Sequence, residues 1–265
     1  MVQTGIDADL CQAIENQSLQ AYYQPIISLQ DGSINGFEVL ARWERDGCHI
    51  PPHLFIQAAE KSGLIITVGE YILTRACLQL KHWMESGLVS ERYFISVNLS
   101  GRQLAQPDFA ERIEEILHTV GLAGCNLRFE ISEVTRNDRH ILSGNLHHLK
   151  ALGILCSIDN FKNDKASVDL LQQLPFDILK IDRSFMSIAP LNRQEQISAL
   201  HTVISQSHHL GLRVVAEGVE DEKILHMLCE MGCEYAQGYY FSPPVNPRKA
   251  GQILIGDPRW QHVLH

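Results

Sequence analysis

Long apolar runs, C-x-x-C pairs, glycine-rich phosphate loops and an excess of basic residues are all missing from this 265-residue chain. No stretch approaches the roughly 20 apolar residues that span a bilayer. The opening MVQTGIDADLCQAIENQ carries acids and no apolar core of signal length. Seven cysteines (Cys11, Cys48, Cys77, Cys125, Cys156, Cys229 and Cys233) are scattered, several within apolar runs, as reduced core cysteines are. These absences predict a cytoplasmic protein. With 22 Lys and Arg against 31 Asp and Glu, the net charge is −9. That argues against a nucleic acid polymer as partner, which needs a basic face. A small anionic ligand fits only where cations offset the repulsion.

What the chain does have is a repeated unit. An amphipathic helical segment ends, a glycine follows, and a short β-rich run begins. The glycines are Gly87, Gly121, Gly153, Gly211 and Gly232, each suited to a left-handed helix C-cap. The runs after them are YFISVN, LRFEIS, ILCSID, LRVVAE and CEYAQG, and FDILKID follows Pro175. Earlier, AYYQPIISL and INGFEVLARW flank QDGS and read as a hairpin. Between the runs lie helical segments, among them LFIQAAEKSG and a helix from Gly69, GEYILTRACLQLKHWMES. Such alternation implies a mostly parallel sheet. About eight strands in this length suggest an α/β fold of the (β/α)8 TIM-like barrel type. An open doubly wound sheet is the alternative, and the missing phosphate fingerprint counts against it. No linker or low-complexity segment interrupts the pattern, so residues 1–265 read as a single domain.

The last residues of the strands are polar: Glu38, Asn98, Glu130, Asp159, Lys180 with Asp182, Glu217 and Gln237. In a barrel these ends converge on one face. One carboxylate at a strand end is ordinarily where the chain meets water. Polar groups at corresponding places on seven strands form a constellation. Four carboxylates and an amide oxygen make a hard set that suits Mg²⁺, Mn²⁺ or Ca²⁺ rather than zinc. Without a cation they repel, by about 4 kcal/mol per close pair at an effective dielectric near 20. Lys180 would be kept charged by such neighbours, which suits holding a phosphate oxygen or a water better than forming a Schiff base. His147–His148 and His208–His209 fall on helical segments, where adjacent side chains diverge by about 100° and chelate poorly. Cys229 and Cys233 read as packing residues, and ERIEEIL as an exposed helix face.

The stretches YYQPIISL, GFEVLARW, SVNLS, FEISE, KIDRSF, VVAEGVE and AQGYYFSPP together resemble the EAL domain of cyclic-di-GMP-specific phosphodiesterases. The resemblance covers a core of about residues 10–250, and EVL stands where that family has E-A-L. It implies a barrel whose first strand is antiparallel to the rest. It also implies hydrolysis of cyclic-di-GMP to pGpG with Mg²⁺ or Mn²⁺, and Ca²⁺ binding without turnover. Carried over motif by motif, Glu38, Asn98, Glu130 and Asp159 are metal ligands, and Glu217 is a ligand or base. Lys180 positions the attacking water. Gln237 supports the metal's water shell. Gln24, Arg42, Asp182, Gln237 and Pro243 are the substrate-binding positions. Glu133 steadies the loop after the fifth barrel strand.

One segment departs from the family. The pattern D-D-F-G-T/S-G-Y-S-S reads DNFKNDKAS here, from Asp159 to Ser167. Asn160 replaces the second aspartate, a degenerate metal position. Losing one charge at contact distance costs roughly 4 kcal/mol at intermediate dielectric, on the order of 10²–10³ in affinity for a second cation. Lys162 and Asp164 replace both loop glycines, and either is strained where positive φ is required. The altered 160–167 loop predicts impaired turnover. Three readings stay open: a slow phosphodiesterase, a non-catalytic cyclic-di-GMP sensor acting on a protein partner, and a pure protein-interaction module. An upstream sensor or GGDEF domain is a further expected partner. The family's typical homodimer relies partly on the altered region.

Overall fold

The structure is a computed structural model that describes residues 3–45, 47–132, 139–159, 171, 173–183 and 193–256. Among the described residues, nine strands form one sheet. They are β1 (Leu19–Ser28), β2 (Ile34–Arg45), β3 (Cys48–Ile50), β4 (Phe94–Leu99), β5 (Leu127–Ile131), β6 (Leu155–Ile158), β7 (Ile178–Ile181), β8 (Arg213–Ala216) and β9 (Tyr235–Ala236). The spatial order is β1-β9-β8-β7-β6-β5-β4-β2-β3, and β1 also pairs with β2. Eight strands therefore close into a barrel, with β3 a short extension hairpinned onto β2. β1 runs antiparallel to both of its neighbours, and the other barrel strands pair in parallel. The α/β barrel with an antiparallel first strand is thus present, and the open doubly wound alternative is not.

The principal helices between strands are α1 (Gln3–Glu15), α2 (Pro52–Ser62), α3 (Ile65–Glu85), α4 (Gly101–Leu104), α5 (Phe109–Val120), α6 (Arg139–Ala151), α7 (Arg193–His209), α8 (Glu222–Glu230) and α9 (Pro247–Gly256). The five glycines read as helix ends all take positive φ, from 69° at Gly87 to 84° at Gly153. Side chains alternate across each strand, one face toward the lumen and one toward the helices. On β1 and β2 the outward set includes Tyr23 and Phe37. Both pack on Trp83 of α3 with ring centroids 4.9 and 5.3 Å away. The residues between them in the alternation, Gln24 and Glu38, face inward and stand opposite each other in register.

Two boundaries differ from the sequence reading. α3 begins at Ile65, four residues before Gly69, so Gly69 lies inside the helix. A Cβ there would sit 1.9 Å from Nε2 of Gln103. The glycine is a close-approach site for α4, and it does not mark a helix start. Glu38 is not a strand end either, since β2 continues seven residues to Arg45, held by pairing with β1 and β3.

Candidate active site

The barrel mouth is built by backbone register. Gln24 stands opposite Glu38, and Asn98 opposite Glu130. Just past the shorter strands the ladder runs on by one bond. Asp159 N–H donates to Ile131, Glu217 N–H to Ile181 and Gln237 N–H to Ala216, at 2.9, 3.0 and 2.9 Å. Each residue is thereby clamped at the place where its side chain meets the mouth.

Lys180 lies at the centre. It is only 2% exposed. Its ammonium bonds Glu130 Oε2 and pairs with Glu217 Oε1, and it lies 3.6 Å from Glu38 Oε2. Ligand oxygens of Glu38, Glu130 and Glu217 all fall within 4.8 Å of one another. Three carboxylates share one ammonium, which leaves a surplus of negative charge in a buried site.

The surplus shows in the proton affinities. Burial, then the Glu38 carboxylate, push Glu130 up to about 8 against the pull of Lys180. Burial likewise raises Glu217, again opposed by Lys180. Burial also opposes ionisation of Glu38, but Lys180 and the amides of Asn98 and Gln237 outweigh it and hold Glu38 below the usual carboxylate range. For Lys180, burial disfavours charge, yet Glu130, Glu38, Glu217 and Asp159 together hold it well above the ordinary lysine value. The charged lysine expected from the sequence follows from these neighbours.

Amides complete the frame. Asn98 Nδ2 donates to Glu38 Oε1 at 2.8 Å. Gln237 Nε2 donates to Glu38 Oε2 at 2.6 Å and to Gln24 Oε1 at 2.8 Å. A cavity of about 310 Å³ opens beside Glu38 and Asn98, walled by Leu40, Pro52, Ile56 and Val68, with Arg42 and Gln103 among its polar groups. The Arg42 guanidinium is partly buried and bonds its neighbour Ala41 O at 2.9 Å. Pro243 is exposed. Asp159 and Asp182 lie at the ends of β6 and β7. Asp159 acts on both Lys180 and Glu217. Asn160, Glu133 and the rest of the altered loop through Ser167 lie outside the described residues.

His147 and His209 bond carbonyls one turn back on exposed helix faces. Cys233 is buried and Cys229 partly so. No helix among the described residues is long and apolar enough to cross a membrane. Sequence reasoning missed Gln103. Its side chain caps α4 reciprocally with Ser100 and lines the cavity. The S-x-x-Q spacing carried that signal.

Comparison with known proteins agrees with this geometry. The EAL domain family model matches residues 7–244. The chain is 35% identical over 244 residues to the cyclic di-GMP phosphodiesterase NbdA of Pseudomonas aeruginosa, covering 91% of this chain and 30% of that protein. It therefore spans under a third of that relative's length. A solved structure of the EAL enzyme Bd1971 with cAMP and cyclic-di-GMP bound superposes with a TM-score of 0.87 at 30% identity, over 95% of this chain and 69% of that one. The PaMucR phosphodiesterase in complex with c-di-GMP gives 0.84 at 32% identity, over 93% and 99%. With the closed barrel, its antiparallel first strand and the matched motifs, the chain belongs to the EAL domain family.

Proposed function

We propose that the barrel mouth binds cyclic-di-GMP together with a divalent cation, Mg²⁺ or Mn²⁺, and hydrolyses one phosphodiester slowly to give pGpG. The observation that carries this reading is the buried Lys180 among three carboxylates whose charge it does not balance. A dianionic dinucleotide and an acidic cluster are compatible only through added positive charge. Glu38, Asn98, Glu130, Asp159 and Glu217 would hold the cation, which supplies Lewis-acid polarisation of the phosphoryl oxygen.

The chain's own groups do the rest. Lys180 stays protonated and donates to a water or a phosphate oxygen. Glu217 has a side chain 24% exposed against 2% for Glu130, so it is the carboxylate able to meet an incoming water. Burial raises its proton affinity above the ordinary carboxylate value, which strengthens it as a proton acceptor. Arg42, Asp182 and Pro243 are the substrate-side groups, and the adjoining cavity takes part of the dinucleotide. The test is incubation with cyclic-di-GMP and Mn²⁺, with pGpG followed by chromatography. Product above that of Glu38→Ala supports hydrolysis, and product equal to that control rejects it.

A second reading is a cyclic-di-GMP sensor without turnover that acts on a protein partner. Asn160, Lys162 and Asp164 in place of the family's aspartate and glycines favour it. Calorimetry with Ca²⁺ separates the two: heat on adding cyclic-di-GMP, with no pGpG under Mn²⁺, assigns a sensor. Restoring Asn160→Asp with both glycines should raise turnover sharply if the loop alone limits it.

A further inference from the structure

We propose that Gln24 is a positioning residue: together with the Glu38 carboxylate it holds the Gln237 carboxamide in one orientation and so keeps Glu38 Oε2 engaged, leaving Oε1 as the oxygen for a cation. The inference rests on the mouth being a cation site, and goes beyond it to the order of hydrogen bonds in this chain. A carboxamide can turn by 180° and exchange donor for acceptor at little steric cost. Two amides in series therefore have alternative orders unless one end meets a group that cannot turn.

Here both ends meet groups that only accept, the Ser242 carbonyl beyond Gln24 and the ionised Glu38 carboxylate beyond Gln237, so the order is locked from two sides. Ser242 O only accepts, so Gln24 must present Nε2 to it, at 3.0 Å across 218 residues of sequence. Gln24 Oε1 then faces Gln237, which must present its own Nε2, at 2.8 Å. That same Nε2 reaches Glu38 Oε2. Reversing Gln237 would set oxygen against oxygen at both contacts. Gln24, Glu38 and Gln237 are 8%, 7% and 3% exposed, so water cannot readily repair the mismatch.

Two consequences follow. Gln237 Oε1 is left buried with no hydrogen-bond partner among the described residues, an acceptor held in place for a donor or a cation. Glu38 Oε2 stays clamped, while Oε1 is bonded by Asn98, which is exposed and can turn. Glu38 therefore offers one oxygen, Oε1. The family resemblance gives Gln24 a different task, direct contact with the dinucleotide. The two roles differ in cation binding measured without nucleotide.

The experiment titrates Mn²⁺ alone into the parent chain and into Gln24→Met, by calorimetry. Methionine keeps the buried volume and removes both hydrogen bonds. A relay predicts Mn²⁺ affinity about tenfold weaker in the variant, with thermal unfolding within a few degrees of the parent. Mn²⁺ affinity within twofold of the parent overturns the relay and returns Gln24 to nucleotide contact. A parent that binds no Mn²⁺ sinks the cation reading of the mouth instead. For that case, or if Gln24→Met fails to fold, side-chain amide exchange by NMR decides on the parent alone. Slow exchange of the Gln24 and Gln237 carboxamide protons supports the relay, and exchange at the free-amide rate overturns it.

Discussion

Two buried cations face the barrel lumen, and they meet opposite surroundings. At the mouth, Lys180 meets Glu38, Glu130 and Glu217. At the floor, Arg128 stands two residues before Glu130 on β5, so both point into the lumen. Its guanidinium carbon lies 3.3 Å from the Phe94 ring centroid and 5.3 Å from that of Tyr235. Gly36 makes room, because a Cβ there would come within 2.7 Å of the Phe94 ring. Burial lowers Arg128 to about 10. Burial opposes ionisation of the Tyr235 phenol, but Arg128 and Arg213 outweigh it and draw the phenol below its ordinary range. At the floor Arg128 meets π faces and a phenol, and its Nε is buried without a hydrogen-bond partner among the described residues. The mouth has carboxylates in excess. One barrel thus carries a buried cation with little anion around it at one end and carboxylates in excess of their cation at the other, and the proposed cation site belongs to the second.

The difference can be broken at either end. Lys180→Met leaves three clustered carboxylates without their ammonium, and should destabilise the metal-free protein by about 3–5 kcal/mol. Urea unfolding measures this, and added Mn²⁺ should recover part of the loss. Arg128→Met should cost less, about 1–3 kcal/mol through lost stacking and an unpaired phenol, and Mn²⁺ should recover none of it. Equal recovery at both ends would erase the distinction.

Protonation of Glu130 bears on the same difference between mouth and floor. Its folded value of about 8 lies above the usual 4.5, so the folded state holds a proton that the unfolded state releases. That contribution to stability is complete below pH 4.5 and is lost as pH rises through 8. A cation competes with the same proton. Mn²⁺ affinity should therefore rise by up to about tenfold per pH unit between 6 and 8, then level off, as calorimetry at several pH values would show. A flat profile would mean that the carboxylates are ionised before the cation arrives. The smallest effect is expected outside the barrel wall. Gly69→Ala gains about 1 kcal/mol of helix propensity but drives a Cβ into Gln103, at a cost of about 1–3 kcal/mol. Thermal unfolding should show a net loss of about 1 kcal/mol.

Local signals gave the strands and helix ends their places. Glycine after an amphipathic run marked five helix ends, because only glycine takes positive φ without strain. Gly69, read as the first residue of a helix, lies inside it instead, where the glycine answers a neighbour in space. The polar strand ends were legible as a set, and Glu38, Glu130, Glu217 and Lys180 do meet at the mouth. Their inequality was not legible. Nothing in the motifs says that Glu130 holds its proton to higher pH than Glu38, since that depends on which carboxylate the amides of Asn98 and Gln237 reach.

Residue order alone specifies an alternation of strands and helices, a set of acids and a lysine at strand ends, and a loop at Asn160 that departs from its family. Those are properties of periods of two and 3.6 residues and of residue identity, and they survive without coordinates. Closure of the barrel decided the rest. It brought Ser242 to Gln24 across 218 positions, placed Lys180 between carboxylates from three other strands, and fixed the direction of each amide, because a hydrogen bond's sense depends on what faces it in space.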